Sequence, residues 1–322
     1  MMELKLDELP PKVSEFLYRA GLVTCTAILD TSRCDLLSLG TLTAEDVNQI
    51  YLLAAKQMRA REFISGGQLT NSSIPGRWGH LSTGCTALDQ LLGGGLVTRG
   101  VTELAGHSGA GKTQLCLQLS LTCQLPQDNG GLNAGAVFIC TEDRFPSVRL
   151  NELIKTFPGA RRSKNITFGS NIFVEHIADA VELQQCVGTR LPQLLRQQRI
   201  GLVVVDSVAA IYRADYTHAE MVQRARDLRT LARQLHSLAN THHIAVVCIN
   251  QVSDVRRGEH SVTVPALGLA WANLVTCRLQ MFRNYEFRRL QVVFSPQLPQ
   301  GYCQYKIAAA GVQGILPVVY SQ

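Results

Sequence analysis

The chain has 322 residues, 46% hydrophobic and 17% charged, with a net charge of +6 and a pI near 8.8. That length and apolar content exclude a disordered or fibrous chain and predict one large α/β domain with a smaller companion, while positive charge spread along the sequence suits a nucleic-acid contact or simply a basic soluble enzyme. No apolar run reaches membrane-span length, and the cysteines, without a C-x-x-C pair or a preceding signal peptide and several of them inside strand or helix patterns (Cys116, Cys140, Cys248), read as reduced thiols of a soluble intracellular protein.

Residues 1–58 read as a small all-α domain whose helices are VSEFLYRAG, TCTAILD, DLLSLG and TAEDVNQIYLLAAKQM. Thr43 as N-cap, with Asp46 at the third helical position, opens the last of these like a capping box. A helix, a hairpin around Gly40 and a further helix resemble helix-hairpin-helix modules, which touch DNA phosphates through backbone amides. Leu42 stands where such hairpins place a second glycine, and a plain helical packing module is the competing reading.

From 59 to 80 the sequence RAREFISGGQLTNSSIPGRWGH loses periodicity and takes on the Gly, Ser, Asn and Pro content of a linker. Phe63 and Ile64 interrupt it, either as ordinary packing or as an anchor for a neighbouring subunit. The core follows over 81–322, and Gly93 to Gly95 turn the chain into the strand VTELAG.

That strand runs into GHSGAGKT, which fits G-x-x-x-x-G-K-[ST], and an apolar helix leaves it. Gly106, Gly109 and Gly111 let successive N–H groups of the loop Gly106–His107–Ser108–Gly109–Ala110–Gly111 point inward at a nucleotide's phosphates. Lys112 reaches the terminal phosphates in such a loop, and the Thr113 hydroxyl takes one position on Mg²⁺.

Beyond this helix the buried-type strands AVFICTED, IFVEHIAD, LVVVDS and IAVVCINQV alternate with the helical runs PSVRLNELIKTF, ELQQCVGTRLPQLLRQQR and AEMVQRARDLRTLARQLHSLANTH. The alternation predicts a mainly parallel twisted sheet with helices on both faces, and the alternating C-terminal third predicts antiparallel strands at its edge. In such a sheet ligands lie at the carboxyl ends of the strands. Asp206 there suits the metal or a plain turn cap, Glu142 suits the polarisation of an attacking water with Asp143 as fallback, and Gln251 after Asn250 suits a γ-phosphate sensor.

STGCTALDQLLGGGL, GHSGAGKTQ, TCQLP, CTEDRFPSVRL, LVVVDSVAAIYRADY, INQV and PALGLAWAN, in this order, resemble the eukaryotic and archaeal branch of the RecA-type recombinases over nearly the entire chain, and within it the recombinase paralogues. The resemblance implies a RecA-like P-loop ATPase core behind a small helical domain. It makes Glu142 the catalytic glutamate, Arg149 the arginine that stacks on adenine, Asp206 the Mg²⁺-associated aspartate and Gln251 the sensor, with ATP and Mg²⁺ as cofactors. FISG resembles the family's polymerisation motif, with Phe63 in place and Gly66 where that motif carries Ala, so contact with a different partner competes with homotypic contact.

The family's first DNA loop corresponds to YRADYTHAEMV, which keeps Arg213. The second corresponds to VSDVRRGEHSVTVP, with Arg256, Arg257 and His260 and no aromatic residue for stacking; its arginines suit phosphate contact or a solvated rim equally. SPQLP and YKIAAAGVQG resemble the stretch that caps a neighbour's ATP in filaments, here without clear acidic residues. The implied function is a weakly hydrolysing, DNA-dependent ATPase of homologous-recombination repair, found in the nucleus and also the cytoplasm. Its implied partners are another recombinase paralogue, the main strand-exchange recombinase and single-stranded or branched DNA, with no membrane. The alternatives are a self-polymerising strand-exchange recombinase and a scaffold whose nucleotide never turns over.

Overall fold

The computed structural model describes residues 3–38, 42–58, 79–163, 165–214, 216–257, 260–284 and 287–320, with the backbone alone at 214, 218, 253–257 and 260–263. The chain divides into two compact units, Met1–Pro75 and Gly76–Gln322.

In the first unit helices α1 (Pro11–Arg19), α2 (Cys25–Asp30), α3 (Arg33–Ser38) and α4 (Ala44–Met58) enclose a core that includes Val13, Leu17, Ile28, Leu36, Val47 and Ile50. Each start has a local cause. Pro11 pre-sets the first turn of α1, and the Thr24 hydroxyl accepts from Ala27 N–H at 3.2 Å at the head of α2. At α4 the box is reciprocal: Thr43 N–H donates to Asp46 Oδ2 at 2.8 Å and Asp46 N–H donates to Thr43 Oγ1 at 3.2 Å. Gly40 lies outside the described residues.

The second unit contains strands β1 (His80–Leu81), β2 (Leu96–Val97), β3 (Val101–Gly106), β4 (Gly135–Cys140), β5 (Ile172–His176), β6 (Ile200–Asp206), β7 (Ala245–Arg257), β8 (His260–Pro265), β9 (Cys277–Arg283), β10 (Arg288–Phe294), β11 (Gly301–Ala308) and β12 (Gly311–Tyr320). The main sheet runs β12-β11-β10-β9-β3-β7-β6-β4-β5, with β8 paired to β7 alone. Pairing from β9 through β3, β7, β6 and β4 to β5 is parallel, and β9 to β12 are antiparallel. All of β3 and β4 is buried, as strands covered on both faces require. One face is covered by α5 (Thr86–Leu91), α6 (Lys112–Thr122) and α7 (Ser147–Thr156), and the other by α9 (Ala180–Gln185), α11 (Val208–Ala214), α12 (Met221–His242) and α13 (Gly268–Ala272); α8 (Pro158–Arg162) and α10 (Leu191–Gln197) complete the set.

Two expectations change. The single helix read over ELQQCVGTRLPQLLRQQR is α9 and α10 joined by a π turn over Cys186–Arg190. Pro192 has no N–H to donate, and in an unbroken α-helix its ring would crowd the carbonyl four residues earlier, a conflict that the wider π turn relieves. The stretch after Gln251, expected as a loop, is a hairpin: β7 continues to Arg257 and pairs with β8 from Val252↔Pro265 to Arg257↔His260. The β-branched pair Val255↔Val262 favours extended pairing more than its arginine, glycine and histidine neighbours suggest.

Parallel registry then gathers the chemistry. Gly106 ends opposite Gln251, and Cys140 opposite Asp206, so the carboxyl ends of β3, β6 and β4 lie at one rim of the sheet beside the Gln251 position of β7.

Candidate functional site

At the end of β3 the backbone turns through Gly109 at φ +72° and Gly111 at φ +110° into the N-terminus of α6. The left-handed dihedrals call for glycine at both positions; at Gly111 a Cβ would also meet Ile307 Cδ1 at 2.6 Å, whereas at Gly109 it would meet only the movable end of Arg283. Lys112, 9% exposed, donates from Nζ to the carbonyls of Gly106 at 2.7 Å and His107 at 2.9 Å, which holds its ammonium over the loop. Burial lowers its pKa, and nearby Asp206 opposes the shift. Asp206 accepts from Thr113 Oγ1 at 2.6 Å; burial raises its carboxyl, against the Thr113 hydrogen bond and Lys112. Both charged forms are thus under-solvated, and a phosphate at Lys112 or a divalent cation at Asp206 would offset this.

The donor set fits Mg²⁺. Among the described residues no trio of His, Cys, Asp and Glu forms a ligand cluster, and Thr113 and Asp206 offer hard oxygens to a cation that completes its shell with water and phosphate. Ser108, Gly109, Gly111, Lys112, Thr113 and Asp206 help line a cleft of about 290 Å³.

Glu142 stands on the far wall of this cleft and also lines an adjoining cleft of about 510 Å³ that holds Arg213. Gln251 joins the two residues: its Nε2 donates to Glu142 Oε2 at 2.8 Å, and its Oε1 accepts from Arg213 Nη1 at 3.2 Å. Arg213, at the exposed end of α11, is therefore connected to the glutamate through one amide. The neighbouring amide Asn250 turns the other way, donating to the buried Glu103 of β3 at 2.6 Å, and Glu103 also pairs with Arg278 of β9. Arg149, on α7, donates to Gln114 Oε1 at 2.8 Å, Glu152 Oε2 at 3.0 Å and Ala308 O at 2.7 Å, so every guanidinium nitrogen has a partner and its plane is fixed.

Lys112, Thr113, Glu142, Asp206 and Gln251 thus converge on the loop, with Arg149 and Arg213 at its margins. Arg256 and Arg257 belong to the far end of β7, where Arg257 pairs with His260; their side chains, with Phe63 and Gly66, lie outside the described residues.

Residues that sequence reasoning passed over complete the site. Tyr305 of β11, its hydroxyl pushed up by burial and so kept protonated, donates to Ala110 O at 2.6 Å, and Ile307 two residues on packs beside Gly111. Part of the YKIAAAGVQG stretch, set beside filament capping segments by resemblance, thus braces its own chain's loop. Strand alternation was its only local signal. All ten cysteines are free thiols, and Cys140 beside the site is pushed up to about 12 by burial, which keeps it un-ionised and inert.

The Rad51 family profile matches residues 78–315. DNA repair protein XRCC3 of Mus musculus is 38% identical over 343 aligned residues, which cover 98% of this chain and 98% of that protein. The Bos taurus XRCC3 is 40% identical over 336, with 98% of each covered. DNA repair protein rhp57 of Schizosaccharomyces pombe is 32% identical over 278, covering 72% of this chain and 78% of its own. With a RecA-like sheet and this match over most of its length, the chain belongs to the Rad51 family, as a recombinase paralogue similar to XRCC3.

Proposed function

We propose that this chain binds Mg·ATP, hydrolyses it slowly, and works in homologous-recombination DNA repair as a subunit of a heteromeric complex with another recombinase paralogue, assisting the main recombinase on single-stranded or branched DNA. The observation that carries the nucleotide reading is the convergence of Lys112, the Thr113–Asp206 pair and the Gln251–Glu142 pair on one glycine loop. The repair context rests on relatives that are DNA repair proteins by name.

Bound Mg·ATP supplies an electrophilic γ-phosphoryl group and a cation that spreads its charge. Lys112, pinned by two carbonyls, adds positive charge where the phosphoryl oxygens accumulate it. Glu142 accepts the proton of the attacking water, with its carboxylate oriented by the Gln251 amide. Thr113 and Asp206 hold the cation, and Arg149 offers a planar face to the base. Residues 59–80 serve as the linker, whose Phe63 and Gly66 meet the partner chain, and Arg213, Arg256 and Arg257 meet DNA phosphates. The site of action is the nucleus, with a cytoplasmic pool.

The test is mant-ATP binding to the full chain. Lys112→Ala is expected to abolish it, and normal binding by that variant would sink the nucleotide assignment.

A further inference from the structure

The parallel ladder between β4 and β6 closes at Cys140↔Asp206. Its closing backbone bond is followed by a side-chain connection one residue further on each side. Thr141 N–H donates to the Asp206 carbonyl at 2.9 Å. Its hydroxyl then donates to Ser207 O at 2.6 Å and accepts from Ser207 N–H at 2.8 Å. One oxygen satisfies both backbone groups of the buried Ser207, which only a group that both donates and accepts can do.

The chain positions on either side give this clamp its meaning. Glu142 follows Thr141 directly, and Asp206 precedes Ser207 directly, so three hydrogen bonds tie together the backbones that carry the two carboxylates of the cleft. The side chain of Glu142 is itself held by the Gln251 amide, a flexible partner reached across the cleft.

We propose that Thr141 is a positioning residue whose hydroxyl locks the Glu142 end of β4 against the Asp206–Ser207 end of β6, and so fixes the separation of the two carboxylates. This rests on the Mg·ATP reading of the site and assigns Thr141 a role exerted through the backbones of its neighbours.

The test uses the full chain and mant-ATP, titrated once in EDTA and once against rising Mg²⁺. Thr141→Val keeps the shape and removes the hydroxyl; Thr141→Ala replaces it where the valine variant does not fold; Thr141→Ser restores the hydroxyl alone. Thr141→Val is expected to leave the metal-free mant-ATP Kd within about twofold and to raise the half-saturating Mg²⁺ at least about fivefold, with Thr141→Ser returning to within about twofold of the parent. ATP turnover, measured alongside, falls roughly tenfold to a hundredfold at saturating nucleotide with little change in KM, as displaced catalytic groups require.

An unchanged Mg²⁺ midpoint in the hydroxyl-free variants overturns the proposal. So does equal impairment of the valine and serine variants, or loss of metal-free binding, since either outcome makes the residue merely structural. A parent protein whose mant-ATP affinity ignores Mg²⁺ overturns it together with the metal assignment. Lys112→Ala run in parallel separates the two levels: normal binding there sinks the nucleotide reading itself, whereas abolished binding with an unmoved Mg²⁺ midpoint in Thr141→Val sinks only the clamp.

Discussion

Glu103 is a fully buried carboxylate in the strand that feeds the phosphate loop, and replacing it by methionine tests how the sheet beneath the site is held. Its oxygens accept from Asn250 Nδ2 at 2.6 Å and from Arg278 Nε, so a single side chain joins β3, β7 and β9. Arg278 is 11% exposed, and Glu103 is its ion-pair partner; its Nη2 has no partner among the described residues, and its other contact is the Phe294 ring at 5.2 Å. Glu103→Met therefore strands a guanidinium in the core, at a cost of about 3–5 kcal/mol. For a unit of this size that lowers Tm by roughly 6–20 °C. The double variant Glu103→Met, Arg278→Met removes both charges and recovers most of the loss, because a buried pair is worth little against apolar replacements of similar volume. Thermal unfolding of the parent, both single variants and the double variant gives the coupling. A drop below about 2 °C for Glu103→Met, or a double variant worse than both singles, refutes the reasoning.

Gly109→Ala meets both a left-handed φ of +72° and Arg283 Nη1 at 2.7 Å, and is expected to weaken mant-ATP binding at least about tenfold in a fluorescence titration, whereas Gly169→Ala, with nothing within 4 Å, leaves it unchanged. Burial raises the Asp206 carboxyl above its ordinary 3.8, so the ionised form opposes folding above the raised pKa and the opposition fades as pH falls below it. A bound cation competes with that proton. The half-saturating Mg²⁺ for mant-ATP retention should therefore climb as pH falls through the raised value, at a pH above that of an ordinary carboxylate, and Asp206→Asn should flatten the profile.

Legibility followed the range of the forces involved. GHSGAGKT was readable because each of its glycines answers a local demand, φ or space, and the buried strands because unbroken apolar runs ending in Glu142, Asp206 and Gln251 are what a sheet covered on both faces needs. The β7–β8 hairpin was hidden because Arg256, Arg257 and His260 mask an extended pairing that is set by the register of the whole strand. The π turn needed knowledge of how α9 and α10 absorb Pro192. Thr141 looked like an ordinary strand-end residue, since its value depends on Ser207 being one hydrogen bond away across the sheet. Tyr305 and Ile307 carried no signal of this contact beyond the alternation of their strand, because their partners on the loop are nearly two hundred residues earlier and only the finished sheet order places β11 near it.

That last distance has a consequence for how the chain comes into being. Ala110 and the Tyr305 hydroxyl that braces it are separated by 195 positions. A ribosome adding 5–20 residues per second needs roughly 10–40 s to cover that interval. Throughout that time the glycine loop is already outside the decoding centre, complete in its letters and incomplete in its support. A nascent fragment that shows the whole motif therefore still lacks the hydrogen bond that braces Ala110 in the finished chain.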